Sequence, residues 1–438
     1  MATPSTDKPL RIRCMSYNLN RGRVQQKLSR LVFHQQIEDP AQLPDMYVIG
    51  FQELAGLHLT FPSLTAAAIH DRHQSMIRAF SSGLRTTKGD PHPPDHENDP
   101  NLDALTYNLL ANPTHGGLGL LVYARNDTVF MDIQSVRTAT TSCGFLNLMN
   151  NKGAVGVRLT IRRSDLPTRK APATEEVLTF VNAHFAAHDS GISARNHNYQ
   201  TIVNRLLFET SHAQHTIYDT NHLFFMGDLN YRISLNPLVT SSLEPITKQA
   251  LSQIIQEDQH SRLLHEHDTL SHQHSAHQVL VGLREAPIHF KPTYKYKLNS
   301  GSQFVSFDHR LPGWTDRIFF GSWLDEDQAS LVDKPGAQIL EYQSLPEYDD
   351  SDHKPVFAVI DLPRWTEDQP SPSFLHHRPH IVVDTRWKEK KWVGMLLDKS
   401  CGFVLLLAVV IGFGNIPFGF FNMSIMCLFG WKWSRGTF

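Results

Sequence analysis

One short run constrains the fold of this chain more than any other feature: an apolar stretch, Phe224-Phe225-Met226, that ends in Gly227, Asp228 and Asn230. Such a stretch is typical of a buried strand, which would place the polar pair at the rim of a sheet. Because Asp228 and Asn230 alternate along the chain, both could face the same side, where Asp would take a proton from water and Asn would orient it. Both residues are also common in turns, so a plain turn is an equally good interpretation.

The wider pattern alternates strand and helix signals and predicts an α/β fold, whose strand order does not follow from these signals. Apolar runs predict strands over residues 11–18, 46–52, 118–125, 129–136, 154–161, 177–182, 223–226 and 355–360. Helical signals cover residues 28–38, 64–80 and 195–212. The stretch 86–117 is rich in Pro, His, Asp and Asn, which favours a surface insertion.

Two further side chains with oxygen atoms come at the ends of predicted strands. Asn18 follows the first strand and Glu53 follows the second. Hard divalent cations such as Mg²⁺ bind oxygen ligands and keep several waters. Glu53 is therefore a candidate metal ligand, although a strand-end carboxylate can equally bind a neighbouring backbone group or an arginine.

A third set of candidates lies near the last predicted strand. Asp352, His353 and Lys354 come directly before it, and Asp316 lies upstream. The imidazole of His353 can donate a hydrogen bond to a phosphoryl oxygen, and Asp316 can hold that imidazole in the required tautomer. An ordinary loop histidine and an ion pair between Asp316 and Arg317 are the alternatives.

Cations and aromatic rings alternate from Lys291 to Lys297, a segment that includes Tyr294 and Lys295. Phosphate groups on a sugar-like ring bind such cations and hydroxyls. The other polar candidates are Asn151 and Lys152 in a turn, His184 after a strand, and Arg195 and Asn196 at the start of the next predicted helix. A solvated basic strand and ordinary glycine-bearing turns are the simpler interpretations.

Charge and cysteine usage restrict the class of protein. The formal net charge of -2 gives no indication of nucleic-acid binding. The four cysteines are scattered and form no C-x-x-C pair, so neither a disulfide framework nor a thiolate zinc site is expected. Residues 1–13 lack the apolar core of a signal peptide, and we expect a catalytic domain that faces the cytosol.

Residues 400–431 are apolar and contain no charged side chain. As one straight helix they would reach about 48 Å, against about 30 Å for the hydrocarbon core of a bilayer. Asn415-Ile416-Pro417 interrupts the stretch, so either one tilted or kinked helix spans the membrane or two short arms enter and return. Basic residues on both sides would keep both ends cytosolic in the second case. A buried helix at the end of a soluble domain is the less favoured alternative.

In this order the motifs resemble those of the inositol polyphosphate 5-phosphatase family, within the endonuclease/exonuclease/phosphatase superfamily. The resemblance covers residues 10–362. The matching motifs are Ser16-Tyr17-Asn18, Phe51-Gln52-Glu53, Asn151-Lys152-Gly153, Asn182-Ala183-His184, Gly227-Asp228-Leu229-Asn230, Pro292-Thr293-Tyr294-Lys295-Tyr296, Trp314-Thr315-Asp316-Arg317-Ile318 and Ser351-Asp352-His353-Lys354-Pro355. With its apolar tail, the chain is similar to fungal tail-anchored phosphoinositide 5-phosphatases of the endoplasmic reticulum.

The resemblance implies a four-layer α/β/β/α sandwich of two packed mixed sheets flanked by helices, followed by a C-terminal membrane segment. We expect a catalytic domain over residues 1–362, a flexible linker over 363–391 and a membrane anchor over 392–438. The implied reaction is Mg²⁺-dependent removal of the 5-phosphate from phosphatidylinositol 4,5-bisphosphate or a related phosphoinositide at the endoplasmic reticulum membrane. The sequence does not indicate an oligomeric state.

The resemblance also implies roles for individual residues. Asp228 is expected to accept a proton from the attacking water, which Asn230 positions. His353, held by Asp316, and His184 are expected to bind the scissile phosphate. The expected Mg²⁺ ligands are Glu53, Asn18 and Asp352. The residues expected to bind substrate are Lys152, Asn151, Arg195, Asn196, Tyr294, Lys295, Arg317 and Lys354.

One segment departs from the family pattern, because Phe145, Leu146, Leu148 and Met149 precede the Lys152 turn where the family often has small or Met-rich residues. These side chains either dip into lipid or pack in the core. Two other classes of protein stay open: another superfamily hydrolase, such as a sphingomyelinase or a nuclease, and a non-catalytic phosphoinositide-binding protein.

Overall fold

The computed structural model describes residues 8–22, 28, 42–86, 106–163, 174–188, 191–238, 244–308, 310–325, 336–363 and 372–434. The strands in these ranges are β1 Leu10–Asn18, β2 Met46–Gln52, β3 Tyr107–Ala111, β4 Thr114–His115, β5 Leu118–Arg125, β6 Ile133–Ser142, β7 Gly153–Arg163, β8 Thr174–His184, β9 Phe208–Glu209, β10 Gln214–His215, β11 His222–Asp228, β12 Asp316–Ser322, β13 Gln338–Ser344 and β14 Val356–Leu362. The helices are α1 Leu57–Thr60, α2 Ala66–Thr86, α3 Ile192–Arg205, α4 Lys248–Gln256, α5 His260–Glu266, α6 Thr269–Ser275, α7 Trp387–Ile411 and α8 Ile416–Ser434.

The described strands form two large mixed sheets. The first has the order β13-β14-β1-β2-β5-β3, with β4 also paired to β5, and its β1–β2 pair is parallel. The second has the order β12-β11-β8-β7-β6, and its β8–β11 pair is parallel. The other described pairs within these two sheets are antiparallel. A separate short ribbon joins β9 and β10.

The two large sheets pack face to face around one apolar core. Alternate residues of each strand point into it, because successive strand side chains face opposite sides. Members of this core include Ile12, Val48 and Leu120 from the first sheet and Val155, Phe180 and Phe224 from the second. The rings of Phe180 and Phe224 stack with their centroids 4.7 Å apart.

Helices cover the outer faces. Ile69 and Phe80 of α2 pack in a cluster with Tyr47 of the first sheet, and Tyr199 and Ile202 of α3 pack in a cluster with residues of the second. Because both faces of each sheet are covered, the strands read as near-continuous apolar runs. The prediction of a four-layer α/β/β/α sandwich is confirmed.

Several predicted elements need correction. The predicted helix over 195–212 ends at Arg205, because Leu206 and Phe208 pack against Gly156 of β7. The predicted strand over 129–136 begins with a 3₁₀ turn and continues as β6 to Ser142. The sequence patterns missed β3, β12 and β13. The predicted insertion 86–117 contains β3 and β4, whereas its residues 87–105 and the predicted helix over 29–38 lie outside the described residues.

The C-terminal segment lies against the sandwich before it reaches the apolar helices. Leu375 is buried and its backbone N–H donates to the Thr220 carbonyl at 3.0 Å, and Arg205 pairs with Asp384 at 2.6 Å. Helix α7 begins at residue 387, before the predicted anchor boundary at 392. It is long and apolar enough to cross a membrane, and a shorter apolar stretch lies in α8. The flexibility of the predicted linker over 363–391 stays a prediction.

Candidate active site

Three predicted site residues lie on one rung of the second sheet. Asp228, the last residue of β11, pairs with His184 at the end of β8 and with Asp316 at the start of β12. Residues on one rung project to the same face of a sheet, so the three side chains meet at its edge. The backbone at Gly227 has a φ of +145°, and a Cβ there would lie 1.9 Å from the Ala183 carbonyl oxygen, so only glycine fits before Asp228.

The first sheet brings a second set of residues to the same edge. Asn18 ends β1, Glu53 follows β2, and His353 precedes β14. The Asn18 side-chain amide donates to Asp228 Oδ2 at 2.9 Å. This hydrogen bond therefore joins the polar ends of the two sheets.

A buried asparagine fixes the two sheets against each other beneath this edge. Asn182 of β8 donates through Nδ2 to the carbonyls of Phe51 and Gly119, both at 2.9 Å, and its Oδ1 accepts from Gln52 at 2.6 Å. A buried amide with all these bonds made has one favourable position. We identify Asn182 as a positioning residue, which the sequence reasoning quoted in a matching motif but did not include among the site residues.

A cavity of about 500 Å³ lies at this edge of the two sheets. Its lining includes nine of the predicted site residues: Glu53, Lys152, His184, Asp228, Asn230, Tyr294, Lys295, Asp352 and His353. The structure therefore brings together residues that lie up to 300 positions apart in the sequence. Asn230 lies beyond the end of β11 with a φ of +59°, so its predicted alternation with Asp228 along a strand is wrong, although both line the cavity.

His353 is held by a carboxylate behind it. Its Nδ1 lies 2.9 Å from Asp316 Oδ2, which also accepts from Thr293 at 2.7 Å and from Thr315 at 2.9 Å. Burial disfavours the charged imidazole, but the charges of Asp316 and Asp228 outweigh burial and raise the pKa of His353 to about 10. With Nδ1 donating to Asp316, Nε2 faces the cavity as a donor 3.9 Å from Asp228.

Asp228 is an ionised carboxylate in the cavity lining. It accepts hydrogen bonds from the Asn18 amide and from the backbone N–H of Asn230 at 3.1 Å, and His184 Nε2 lies 3.2 Å away. Burial raises the pKa of this carboxyl, but its interactions with His184, His353 and Lys152 overcome burial and hold the pKa well below its ordinary value. Asp228 is therefore an acceptor at neutral pH, able to orient a water or to bind a metal ion.

Lys152 and His184 face each other across the cavity wall, with the Lys152 ammonium in contact with His184 Nε2. Burial lowers the pKa of Lys152, and the charges of Asp228 and Glu53 oppose that effect. Burial and Lys152 lower the pKa of His184. A neutral His184 thus has a cationic Lys152 and an anionic Asp228 beside it. The cavity wall at Lys152 is suited to an anion, and the wall at Asp228 is suited to a cation.

Arg232 also lines the cavity, and the sequence reasoning did not include it among the site residues. Its guanidinium stacks 4.2 Å over the Tyr294 ring, and its Nε donates to the Asn230 carbonyl at 3.1 Å. Among the described residues, Nη1 of this buried side chain has no hydrogen-bond partner. A free, pre-oriented guanidinium nitrogen is suited to a phosphate oxygen. Its place beside Asn230 in the same motif was the signal available in the sequence.

We expect Arg232→Gln to weaken substrate binding rather than folding. Gln is polar but shorter than Arg and uncharged, so KM for a phosphorylated substrate should rise about tenfold with a smaller fall in kcat. Steady-state kinetics on the purified variant would measure this, with Arg262→Gln on the exposed face of α5 as the control. An unchanged KM would show that Arg232 does not contact substrate.

For two cations, the predicted contact with substrate is wrong. Arg317 is buried behind the site, where it pairs with Asp268 at 2.9 Å and with Glu285 at 2.7 Å. Lys354 points away from the cavity, and its ammonium donates to the carbonyls of Gly301 at 2.8 Å and Pro346 at 2.9 Å. Both charges stabilise buried acceptors, so neither is available to a substrate phosphate.

Three further predicted substrate-binding residues also lie outside the cavity lining. Arg195 is fully buried and donates to the His188 carbonyl at 2.6 Å. Asn196 donates to Gln273 at 2.7 Å and accepts from the Tyr231 hydroxyl at 2.6 Å. Asn151 packs its side chain against Gly144. These residues shape the loops behind the cavity, and their direct contact with substrate stays a prediction.

The oxygen atoms of the cavity suit a hard divalent cation. Glu53 adopts a left-handed φ of +51°, lines the cavity, and has Arg21 at 3.9 Å as an ion-pair partner. Asp352 lies 3.3 Å from Lys295. Carboxylates of Glu53, Asp228 and Asp352, without a thiolate among the described lining residues, match the ligand preference of Mg²⁺ or Ca²⁺. Both ends of the Asn18 amide are already hydrogen-bonded. Its Nδ2 donates to Asp228, and its Oδ1 accepts from the Asn20 N–H at 3.0 Å.

Another acidic cluster joins Asp228, Asp316 and His353 within 4.8 Å. Asp316 and His353 already share a hydrogen bond there, so this trio is better suited to holding an imidazole than a metal ion.

An α/β/β/α sandwich with carboxylates, two histidines and cations at one edge is the arrangement of the endonuclease/exonuclease/phosphatase class. The profile of Endonuclease/Exonuclease/phosphatase family 2 matches residues 15–359. The chain belongs to this superfamily and, within it, to the inositol polyphosphate 5-phosphatase family, as the sequence motifs predict.

Two relatives and one solved structure illustrate the similarity. The chain is 28% identical over 82% of its length to inositol-1,4,5-trisphosphate 5-phosphatase 1 of Schizosaccharomyces pombe. It is 29% identical over 74% of its length to the type II inositol 1,4,5-trisphosphate 5-phosphatase of Mus musculus. The aligned part spans 27% of each relative.

The solved structure is the inositol polyphosphate 5-phosphatase domain of SpSynaptojanin, in complex with inositol (1,4)-bisphosphate and calcium ion. Its TM-score is 0.60 at 24% identity, with 90% of this chain and 91% of that chain covered. At this identity the likeness establishes the fold.

Proposed function

We propose that this protein hydrolyses the 5-phosphate of phosphatidylinositol 4,5-bisphosphate or a related phosphoinositide with the help of Mg²⁺. The observation that carries the proposal is the convergence of Glu53, Asp228 and His353 on one cavity that cations also line. Carboxylates on one side and cations on the other suit a substrate that is both metal-bound and anionic. The related domain that binds inositol (1,4)-bisphosphate and calcium supports the choice of an inositol phosphate.

The positions of the side chains support the following roles in the reaction. Asp228 accepts a hydrogen bond from the attacking water and aligns it, because this carboxylate is ionised and faces the cavity. His353 Nε2 donates to a phosphoryl oxygen, and Asp316 keeps its ring in that orientation. Glu53 and Asp352 would hold the divalent cation, which when bound neutralises charge that develops on the leaving oxygen.

The remaining groups bind the inositol ring and its other phosphates. Lys152, Arg232 and Lys295 line the cavity and carry positive charge. Tyr294 lies between Arg232 and His353, with its ring centroid 4.6 Å from that of His353. Its hydroxyl and the neighbouring cations would select a ring that bears more than one phosphate.

Phosphate release from a panel of substrates tests the proposal. The panel holds phosphoinositides in vesicles, soluble inositol phosphates, sphingomyelin and DNA, each with Mg²⁺. We expect release from substrates with a 5-phosphate and none from their analogues without it. Faster cleavage of sphingomyelin or DNA would instead assign another hydrolase activity, and head-group binding without phosphate release would indicate a non-catalytic protein.

We expect Glu53→Gln to raise the Mg²⁺ concentration needed for half-maximal activity by about tenfold or more. The substitution keeps the shape of the side chain but removes one of few carboxylate charges at the proposed cation site. Titration of Mg²⁺ after treatment with a chelator would measure the shift, and isothermal calorimetry would report metal binding apart from turnover. Glu257→Gln, on the surface after α4, serves as the control. The same metal dependence in both variants would refute the assignment of Glu53.

We also propose that α7 and α8 anchor the protein to a membrane, with the endoplasmic reticulum as the compartment that the resemblance favours and with the catalytic domain on the cytosolic face. The length and apolarity of α7 support an anchor. Phe145 and Leu146 are each 67% exposed and are suited to contact lipid, whereas Met149 is buried in the core, which is the other of the two alternatives. Leu148 is half-buried.

Deleting residues 400–438 should release the protein from membranes and leave hydrolysis of a soluble inositol phosphate within about twofold, because the cavity lies in the sandwich. Flotation of vesicles with bound protein and phosphate release from the soluble substrate would measure the two effects. A truncated protein that still floats with vesicles would contradict the anchor.

A further inference from the structure

The first half of α7 is docked on the sandwich beside the cavity. Gly394, Asp398 and Gly402 recur every four residues, so they share one face of the helix. A Cβ on Gly394 would lie 2.1 Å from the Leu148 carbonyl oxygen, and one on Gly402 would lie 2.5 Å from the Pro62 ring. The two glycines therefore let the helix approach the domain closely, and a larger side chain at either position would separate them.

A polar contact locks the centre of this face. Asp398 is buried, and its carboxylate oxygens accept the Asn150 backbone N–H at 3.1 and 3.2 Å. The Asn150 side chain in turn donates to the carbonyls of Thr60 and Phe61, both at 3.2 Å. Asn150 stands two residues before Lys152 of the cavity. The anchor helix is thus joined to the wall of the site through two residues of backbone.

This docking limits how far α7 can enter a bilayer. Beyond Gly402 the helix continues for residues 403–411, which extend about 14 Å, less than half of the roughly 30 Å hydrocarbon core. The chain then turns, with Ala408 against Gly419 and the Asn422 amide donating to the Ile411 carbonyl at 3.1 Å. In one continuous helix residues eleven apart would be about 16 Å apart, so α8 does not extend α7.

Apolar side chains beside the docked face of α7 are exposed. Leu64 is 55% exposed next to Pro62, and Phe145 and Leu146 are exposed next to Leu148. In α8, large apolar side chains are exposed around the helix: Phe418, Phe420, Phe421, Ile425, Met426, Leu428, Phe429 and Trp431. A helix that is apolar on all sides needs an apolar surrounding, and the charge-free stretch 416–431 of α8 indicates lipid rather than a polar partner surface.

We infer that residues 403–431 form a monotopic anchor, which enters only the leaflet that faces the catalytic domain, while the docked half of α7 holds the cavity against that leaflet. The inference rests on the proposed membrane function and deepens it. The occupant is a lipid bilayer, and both ends of the tail lie on the side of the catalytic domain. The enzyme would then reach lipid head groups with a fixed orientation rather than from a loose tether.

Topology in sealed vesicles tests the anchor. The test protein is the full chain with a tag after Phe438. Phe413→Cys places a thiol at the turn, and Cys401 and Cys427 are replaced by serine. We expect a protease added on the domain side to remove the tag, and an impermeant maleimide to leave the introduced thiol unlabelled from either side. A protected tag would show a single span, and labelling from the far side would show two full crossings, so either result would overturn the inference.

A pair of neighbouring substitutions tests the docking. Gly402→Leu should collide with Pro62 and free α7, whereas Cys401→Leu replaces an exposed side chain. We expect Gly402→Leu to lower hydrolysis of vesicle-borne phosphoinositide about tenfold through lost orientation, and Cys401→Leu to leave it unchanged. Equal lipid hydrolysis in the two variants would overturn the docking role. If the proposed function holds, both variants hydrolyse soluble inositol phosphate at the normal rate. Loss of this activity in both variants would count against the proposed function and not against the docking role.

Discussion

Asp228→Ala is expected to lower kcat about 10⁴-fold without unfolding the protein. The carboxylate accepts hydrogen bonds from Asn18 and Asn230, lies 3.2 Å from His184 Nε2, and is an anionic group of the cavity lining. Its removal takes away the acceptor that aligns the attacking water and the negative charge that faces both histidines. Phosphate release under saturating substrate and Mg²⁺ would measure the loss.

A control substitution separates catalysis from general damage. Asp308→Ala removes a carboxylate whose side chain is 79% exposed and outside the cavity lining, so its activity should match that of the parent protein. Thermal unfolding and circular dichroism would establish that Asp228→Ala is folded. If a folded Asp228→Ala protein kept activity within tenfold of the parent, the assignment of this cavity as the active site would fail.

His353→Ala is expected to lower kcat about 10³-fold, because the donor to the phosphoryl oxygen disappears. It also leaves the buried Asp316 carboxylate without its imidazole partner, so some loss of stability accompanies the loss of activity. His353→Gln keeps an amide that can donate to Asp316 and should recover stability without recovering turnover. The combination would show that the imidazole itself acts on the substrate.

The matched control for His353 is His212→Ala, an exposed histidine beyond the cavity lining. Endpoint assays over several hours would detect residual turnover. The unfolding midpoints of His353→Ala, His353→Gln and His212→Ala would also be compared. Normal kcat in either His353 variant would contradict a direct contact between this imidazole and the scissile phosphate.

The sequence predicted the buried strands well because a strand covered on both faces must be apolar throughout. Strands β2 and β5 have the predicted bounds, and β11 extends the predicted run by one residue before and two after. Edge strand β13 was missed because its side chains are mostly half-buried or exposed and lack that pattern. Strand β12 was missed although it is buried throughout, because its Asp316-Arg317 start was read as a motif rather than as a strand.

The chemical identity of the site also followed from local motifs, but the direction of each side chain did not. Arg317 and Lys354 occur in the right motifs, yet they bind Glu285 and backbone carbonyls behind the cavity. Arg232, in contrast, reaches the cavity because the chain turns at Asn230 and stacks the guanidinium on Tyr294. A motif gives the kinds of side chain present, whereas neighbours distant in sequence decide which of them stay free.

By itself, the sequence determined the class of fold, the family and the apolar nature of the tail, since these depend on composition and spacing along the chain. Tertiary structure alone decided which charges face the cavity, that Asn182 joins the two sheets, and that α7 packs on the domain through Asp398. The physical reason is that a polar group is bonded or available according to the partners that folding places beside it, and those partners come from remote segments.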